Sequence, residues 1–276
     1  MKKSRLPMVL LGVGLAFLYL PILLLVVYSF NDNRSLTVWT GASLRWYHEL
    51  IQDGQMLEAA WLSLRIAFAT ACGAVVLGTV AGLMLARFGA FRGRALFAGM
   101  ISAPLVMPEV IMGLALLLLF VSAEQLIGWP AGRGVLTIVL AHITFTMSFV
   151  AVVIQSRLVS MDVSLEEAAM DLGARPAKVF FVITLPIIAP AIVSGWLLAF
   201  TLSLDDLVIT SFVSGPGSTT LPMIVFSSIR LGLKPEINAL ATIVVAVVAT
   251  GIGLAGFLEA RRARVREREE SQAGKA

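Results

Sequence analysis

Charge is what this chain has least of. Asp, Glu, Lys and Arg make up 14% of its 276 residues, against about 25% in an ordinary soluble domain. That scarcity excludes a water-soluble enzyme and, despite a net charge of +4, a nucleic-acid binder. Cysteine is nearly absent as well: Cys72 stands alone, so no internal disulfide can form and a secreted disulfide scaffold is excluded. Within an apolar run, that thiol is expected to be buried as small packing material. The two histidines, His48 and His142, are too few and too far apart for a metal site, and no H-E-x-x-H occurs. The chain also lacks a G-x-x-x-x-G-K-[S/T] loop, so it cannot cradle ATP by that route.

What the chain has instead is apolar length. Apolar residues make up 58% of it, mean hydropathy is +0.92, and they fall into long runs. Six stretches, 8–30, 66–86, 95–121, 135–154, 183–204 and 239–258, each exceed the ~18 residues that suit a bilayer core about 30 Å thick. Five carry no Asp, Glu, Lys or Arg, and the third carries one acid, Glu109. The expected fold is therefore all-α: a polytopic membrane protein of six transmembrane helices forming a single transmembrane domain over 1–276. The first run follows Lys2, Lys3 and Arg5, as a secretory signal would. Its length exceeds a signal core of about 7–15 residues and no small-residue cleavage site precedes 31–34, so it reads as a retained helix.

Six spans place both termini on one side. Fifteen of the 21 Lys and Arg residues fall on that side, including Arg87, Arg92, Arg94, Arg157, Arg175, Lys178 and the tail after 258. The positive-inside rule makes it the cytoplasm. The alternating Arg and Glu of 259–270 read as a solvated helix end near anionic lipid. Outer residues 31–65 carry Trp39, Trp46 and Tyr47, aromatics expected at the membrane interface. Residues 205–238 are expected to hold a short apolar helix around 221–229.

The inner segment 157–182 carries the most local information. Ser164 and Glu167 are spaced as a capping box. Gly173 suits a left-handed position just past the helix end, and Pro176 suits the first turn of a second helix. Between the caps, Glu166-Glu167-Ala168-Ala169 is acidic and then small, a short exposed helix suited to another protein's groove.

Those residues carry a resemblance. Glu167-Ala168-Ala169, then Gly173, then Ile183, Leu185 and Pro186 resemble the EAA motif of permease subunits in binding-protein-dependent ABC importers. The likeness extends over nearly the whole chain. Residues 103–109 (APLVMPE), 203–206 (SLDD), 211–217 (SFVSGPG) and 235–242 (PEINALAT) resemble the polyamine, putrescine-importing branch. One departure is Glu109, where relatives often carry Asp. The resemblance implies a type I ABC importer permease in the bacterial inner membrane that moves putrescine by alternating access. It also implies a second permease subunit, two cytoplasmic ATPases that bind ATP and Mg, and a periplasmic polyamine-binding protein. The chain itself would bind no cofactor and have no ATPase site of its own. Glu166, Glu167, Ala168, Ala169, Gly173, Ile183, Leu185 and Pro186 would couple it to the ATPases.

Substrate chemistry points to the acids at membrane depth. Glu109 lies 14 positions beyond Ala95, about 21 Å along a continuous helix, and Asp205 with Asp206 end the fifth run. A carboxylate there costs roughly 2.5–3.5 kcal/mol on insertion scales and normally meets a partner or a water-filled cavity. With no basic residue inside any span, Glu109, Asp205 and Asp206 are the expected substrate pathway for a dication. Spermidine or another organic cation, and an ATP-independent channel or carrier, remain alternatives. An intramembrane protease is a further one, but Ser203 has no His within its helix and His142 has no assigned neighbour. The string 251–256 (GIGLAG) matches G-x-G-x-x-G with no strand before it. Together with Gly78 and Gly82 it reads as small residues that let helices approach closely.

Overall fold

The computed structural model describes residues 6–34, 38–231 and 235–250. The string 251–256, the Arg- and Glu-rich tail and the N-terminal Lys2, Lys3 and Arg5 lie outside these described residues. The helices are α1 (Leu6–Tyr28), α2 (Arg45–Gln52), α3 (Gly54–Arg87), α4 (Arg94–Val106), α5 (Glu109–Ile127), α6 (Val135–Val159), α7 (Ser164–Asp171), α8 (Pro176–Val179), α9 (Leu185–Leu204), α10 (Val208–Val213) and α11 (Leu221–Leu231), with an apolar α12 (Glu236–Thr250). A π-helical turn, Phe180–Thr184, joins α8 to α9. Among the described residues, five helices, Pro7–Tyr28, Gly54–Arg87, Glu109–Ile127, Val135–Val159 and Pro176–Leu204, are long and apolar enough to cross a membrane. Of the expected sixth run, the part up to Thr250 is helical.

The run 95–121 is not one helix. Met107 and Pro108 adopt extended backbone, with ψ of 136° at both, and separate α4 from α5. Proline has no N–H to donate and pushes the preceding residue out of the helical region. Glu109 therefore stands at the first position of α5 rather than inside a continuous helix.

The described chain forms two compact units, Met1–Leu57 with Ser227–Ala276, and Glu58–Phe226. In the first, α1 is apolar on all sides and exposed along most of its length. The segment after it is held by Asn31, whose amide donates to the Val38 carbonyl and whose side-chain oxygen accepts from Thr40 N–H. Trp46, expected at an interface, is instead 1% exposed and donates its indole N–H to the Asn31 carbonyl. Trp39 does remain half exposed.

The second unit is built around α6. Its residues Val150, Ile154 and Leu158 pack with Ala71 and Ala74 of α3 and Ile188, Ala191 and Ala199 of α9. Small residues permit the approach, as the Gly78 and Gly82 spacing leads one to expect. A β-carbon at Gly78 would lie 2.7 Å from Val150 Cβ and 2.9 Å from the Met147 carbonyl oxygen; one at Gly82 would lie 2.8 Å from the Ala151 carbonyl oxygen. Gly78→Leu is therefore expected to cost about 1–3 kcal/mol through overpacking. The check is the yield of monodisperse protein against Gly12→Leu, where a β-carbon meets nothing within 4 Å. Equal yields would show that α3 and α6 can separate without loss. Cys72, expected to be buried, is exposed on α3, and its sulfur accepts from the Trp196 indole at 3.4 Å.

Candidate functional site

Two sites emerge in the second unit, one at the acids and one at the segment 157–182. The acids divide. Glu109 and Asp205 are exposed, whereas Asp206 is buried. Glu109 opens α5, where an acid also complements the helix dipole. Gly113, one turn later, receives α10: a β-carbon there would lie 2.6 Å from the Phe212 ring and 3.3 Å from Ile209 Cα. Ile209, near the start of α10, thus packs against α5 one turn, roughly 6 Å along the helix, beyond Glu109, and Asp205 lies four residues before Ile209.

Asp206 is not free in this arrangement. Its Oδ2 accepts from Thr210 N–H and Thr210 Oγ1–H, both at 2.7 Å, and meets His142 Nε2 at 3.1 Å. Its Oδ1 accepts from Ile209 N–H at 3.3 Å. The carboxylate thereby caps the first turn of α10. On its other side, His142 Nδ1 lies 2.7 Å from Ser203 Oγ. With the proton on Nε2, the ring donates to Asp206 and Thr210 while Nδ1 accepts from Ser203. One turn away, Thr137 Oγ1 donates to the Val213 carbonyl at the far end of α10. Threonine and histidine of α6 thus pin α10 at both ends, and the same histidine holds the end of α9.

Ser203, His142 and Asp206 have the connectivity of a nucleophile, base and acid. The histidine that could not be placed from sequence stands between the other two. A nucleophile must reach a substrate, however, and Ser203 is 5% and His142 1% exposed. Among the described residues, no group of three His, Cys, Asp or Glu side chains is placed to hold a metal ion.

The segment 157–182 folds as a helix pair. Gly173 follows α7 with φ of +86°. Ala174 N–H reaches back to the Ala169 carbonyl and Gly173 N–H to that of Met170, closing the helix as a Schellman motif. Pro176 opens α8. The expected capping box is absent: Ser164 makes no side-chain cap. Asp162 takes its place, its carboxylate accepting from Ser164 N–H at 3.0 Å, and that bond holds its pKa below the ordinary aspartate value.

Glu167 and Ala168 face outward and Ala169 is half-buried. Ala169, Gly173, Arg175, Lys178 and Ile183 border an open cleft of about 500 Å³. Leu185 and Pro186 form the first turn of α9, Leu185 half-buried and Pro186 exposed. Glu166 differs from its neighbours: it is the buried residue of α7. Its Oε2 lies 2.8 Å from Arg87 Nε and its Oε1 accepts from Thr184 Oγ1–H at 2.6 Å. Neither partner was singled out for this role from sequence, because 79 residues separate Arg87 from Glu166.

A family model described as "Binding-protein-dependent transport system inner membrane component" matches residues 78–266. The putrescine transport system permease protein PotI of Escherichia coli K12 is 62% identical over 265 residues, covering 96% of this chain and 94% of that protein. The spermidine/putrescine transport system permease protein PotC of Haemophilus influenzae is 42% identical over 230 residues, covering 83% and 87%. A crystal structure of a bacterial ABC transporter involved in importing the acidic polysaccharide alginate matches with a TM-score of 0.69 at 15% identity, covering 91% of this chain and 95% of that one. At that identity, the likeness speaks to the fold.

Proposed function

The chain belongs to the family of binding-protein-dependent transport system inner membrane components, and on that premise we propose that it is the permease subunit of an ATP-driven putrescine importer. The likeness to a putrescine permease along almost its full length supports the substrate class. The feature of this chain on which the reading rests is its pair of exposed carboxylates, Glu109 one turn before Gly113 on α5 and Asp205 four residues before Ile209. A diamine with an ammonium group at each end complements two carboxylates at membrane depth.

The rest of the machine follows from what the chain contains. Without a phosphate-cradling loop, it depends on two cytoplasmic ATPases that bind ATP and Mg. Its one inner helix pair calls for a second permease, a paralogue, to present the matching contact. A periplasmic polyamine-binding protein delivers the substrate. The excess of Lys and Arg on one side supports cytoplasmic termini. In this reading α7, exposed except at the buried Glu166 and the half-buried Ala169, is the surface that meets the ATPase.

The decisive experiment is uptake by the complete complex in proteoliposomes with its binding protein. Putrescine should accumulate only with ATP inside the vesicle compartment that faces the ATPases. Uptake without ATP would point to a channel or carrier, and preference for spermidine would correct the substrate. The Ser203–His142–Asp206 geometry supports a second reading, an intramembrane hydrolase. The burial of Ser203 and the use of Asp206 as a helix cap favour a structural clamp instead.

A further inference from the structure

The inward residue of α7 is a carboxylate, an unusual choice for anchoring an eight-residue helix. An apolar anchor would hold the helix by contact area, and its grip would survive a small slide in any direction. A carboxylate held at both oxygens fixes α7 to named atoms through directional, charge-assisted bonds. The atoms belong to two different spans. Arg87 is the last residue of α3, and Thr184 ends the π turn immediately before α9. A π turn interrupts the regular helical ladder and is frequently found at functional positions. The guanidinium is also incompletely used: it meets Glu166 through Nε, while its buried Nη2 has no partner among the described residues. A buried donor without a partner calls for an explanation, and a second arrangement of the joint supplies one.

We propose that Glu166, held between Arg87 and Thr184, is the joint that transmits displacement of α7 to the spans α3 and α9. It is a positioning residue for transport, and the proposal rests on the reading of α7 as the ATPase contact. Glu167, on the outward face, would serve association with the ATPase; Glu166, on the inward face, serves transmission. The two neighbouring acids thus divide the work according to the side of the helix they occupy.

The test uses the full complex with its binding protein in proteoliposomes, comparing Glu166→Gln, Arg87→Gln, Thr184→Val and the exchanged pair Glu166→Arg with Arg87→Glu. Three quantities are read: ATPase subunits retained on purification, putrescine uptake, and ATP hydrolysed per putrescine moved. The single variants should retain their ATPases. Loss of a bond to a charged group should lower uptake about tenfold, while hydrolysis falls less. ATP consumed per putrescine therefore rises, and the exchanged pair recovers part of the uptake. Should Glu166→Gln not insert, Thr184→Val reads the same joint from the α9 side. Uptake and hydrolysis falling together at a parental ratio would reduce Glu166 to a packing residue and overturn the proposal. Loss of ATPase subunits from Glu166→Gln would overturn it as well, since that residue would then be a docking contact. Failure of the parental complex to couple uptake to ATP overturns the permease reading itself, an outcome visible before any variant is made.

Discussion

His142→Ala is expected to lose the fold of the α6, α9 and α10 cluster before it loses any chemistry. The imidazole fills the space between Ser203 and Asp206 and bonds to both. Removing one partner of a buried charged group costs about 3–5 kcal/mol, and Asp206 keeps its two bonds from Thr210, so the lower end of that range applies. The check is the melting temperature and monodispersity of the detergent-solubilised protein. Ser203→Ala removes one hydroxyl partner and should cost only about 1 kcal/mol. Thr137→Val, which releases the far end of α10 from α6, should fall between them because it leaves the Val213 carbonyl unpaired. This order separates a clamp from a catalytic set. If Ser203→Ala abolished function while melting like the parent, the clamp reading would be wrong.

This cluster shows where sequence reading runs out. Hydropathy places the spans, because a run without charge needs no knowledge of its neighbours. Gly173 and Pro176 are equally legible, since a left-handed residue and a first-turn proline are local demands of the backbone. Gly78 and Gly82 announce a close helix approach, although not the helix they approach. The contacts that define the two sites are different in kind. Ser203 lies 61 residues from His142, and Thr184 lies 18 from Glu166. No spacing rule for helices or turns reaches across such gaps.

Two errors have local causes. The run 95–121 looks continuous because hydropathy counts Met107 and Pro108 as membrane-compatible and ignores the break that proline imposes on the residue before it. The capping-box spacing at Ser164 competes with Asp162 two residues earlier, and the aspartate accepts the Ser164 N–H instead. Each alternative was written in the chain, and the nearer local interaction prevailed. At Trp46 the selection went against the usual interfacial habit of tryptophan, because the Asn31 carbonyl offered its indole a buried acceptor.

The other large effect concerns substrate. Glu109→Gln and Asp205→Asn should each lower putrescine uptake at least about tenfold, the equivalent of roughly 1.4 kcal/mol. An ammonium and a carboxylate about 4 Å apart attract by roughly 4 kcal/mol at an effective dielectric of 20, before desolvation is subtracted. The competing local role is smaller: an acid at the first position of α5 stabilises that helix by about 0.3–1 kcal/mol. The neutral isosteres should therefore insert and assemble normally, and the loss should appear in transport. Glu109→Asp keeps the charge and should be tolerated best. Asp206→Asn should behave differently from both, since that carboxylate is buried and already committed to Thr210 and His142; its loss should register first as instability. In the proposed scheme, capture of putrescine by a soluble binding protein precedes these acids and should not change. Parental uptake by both Glu109→Gln and Asp205→Asn in proteoliposomes would make these acids structural, and the contacts with the diamine would then have to come from the second permease.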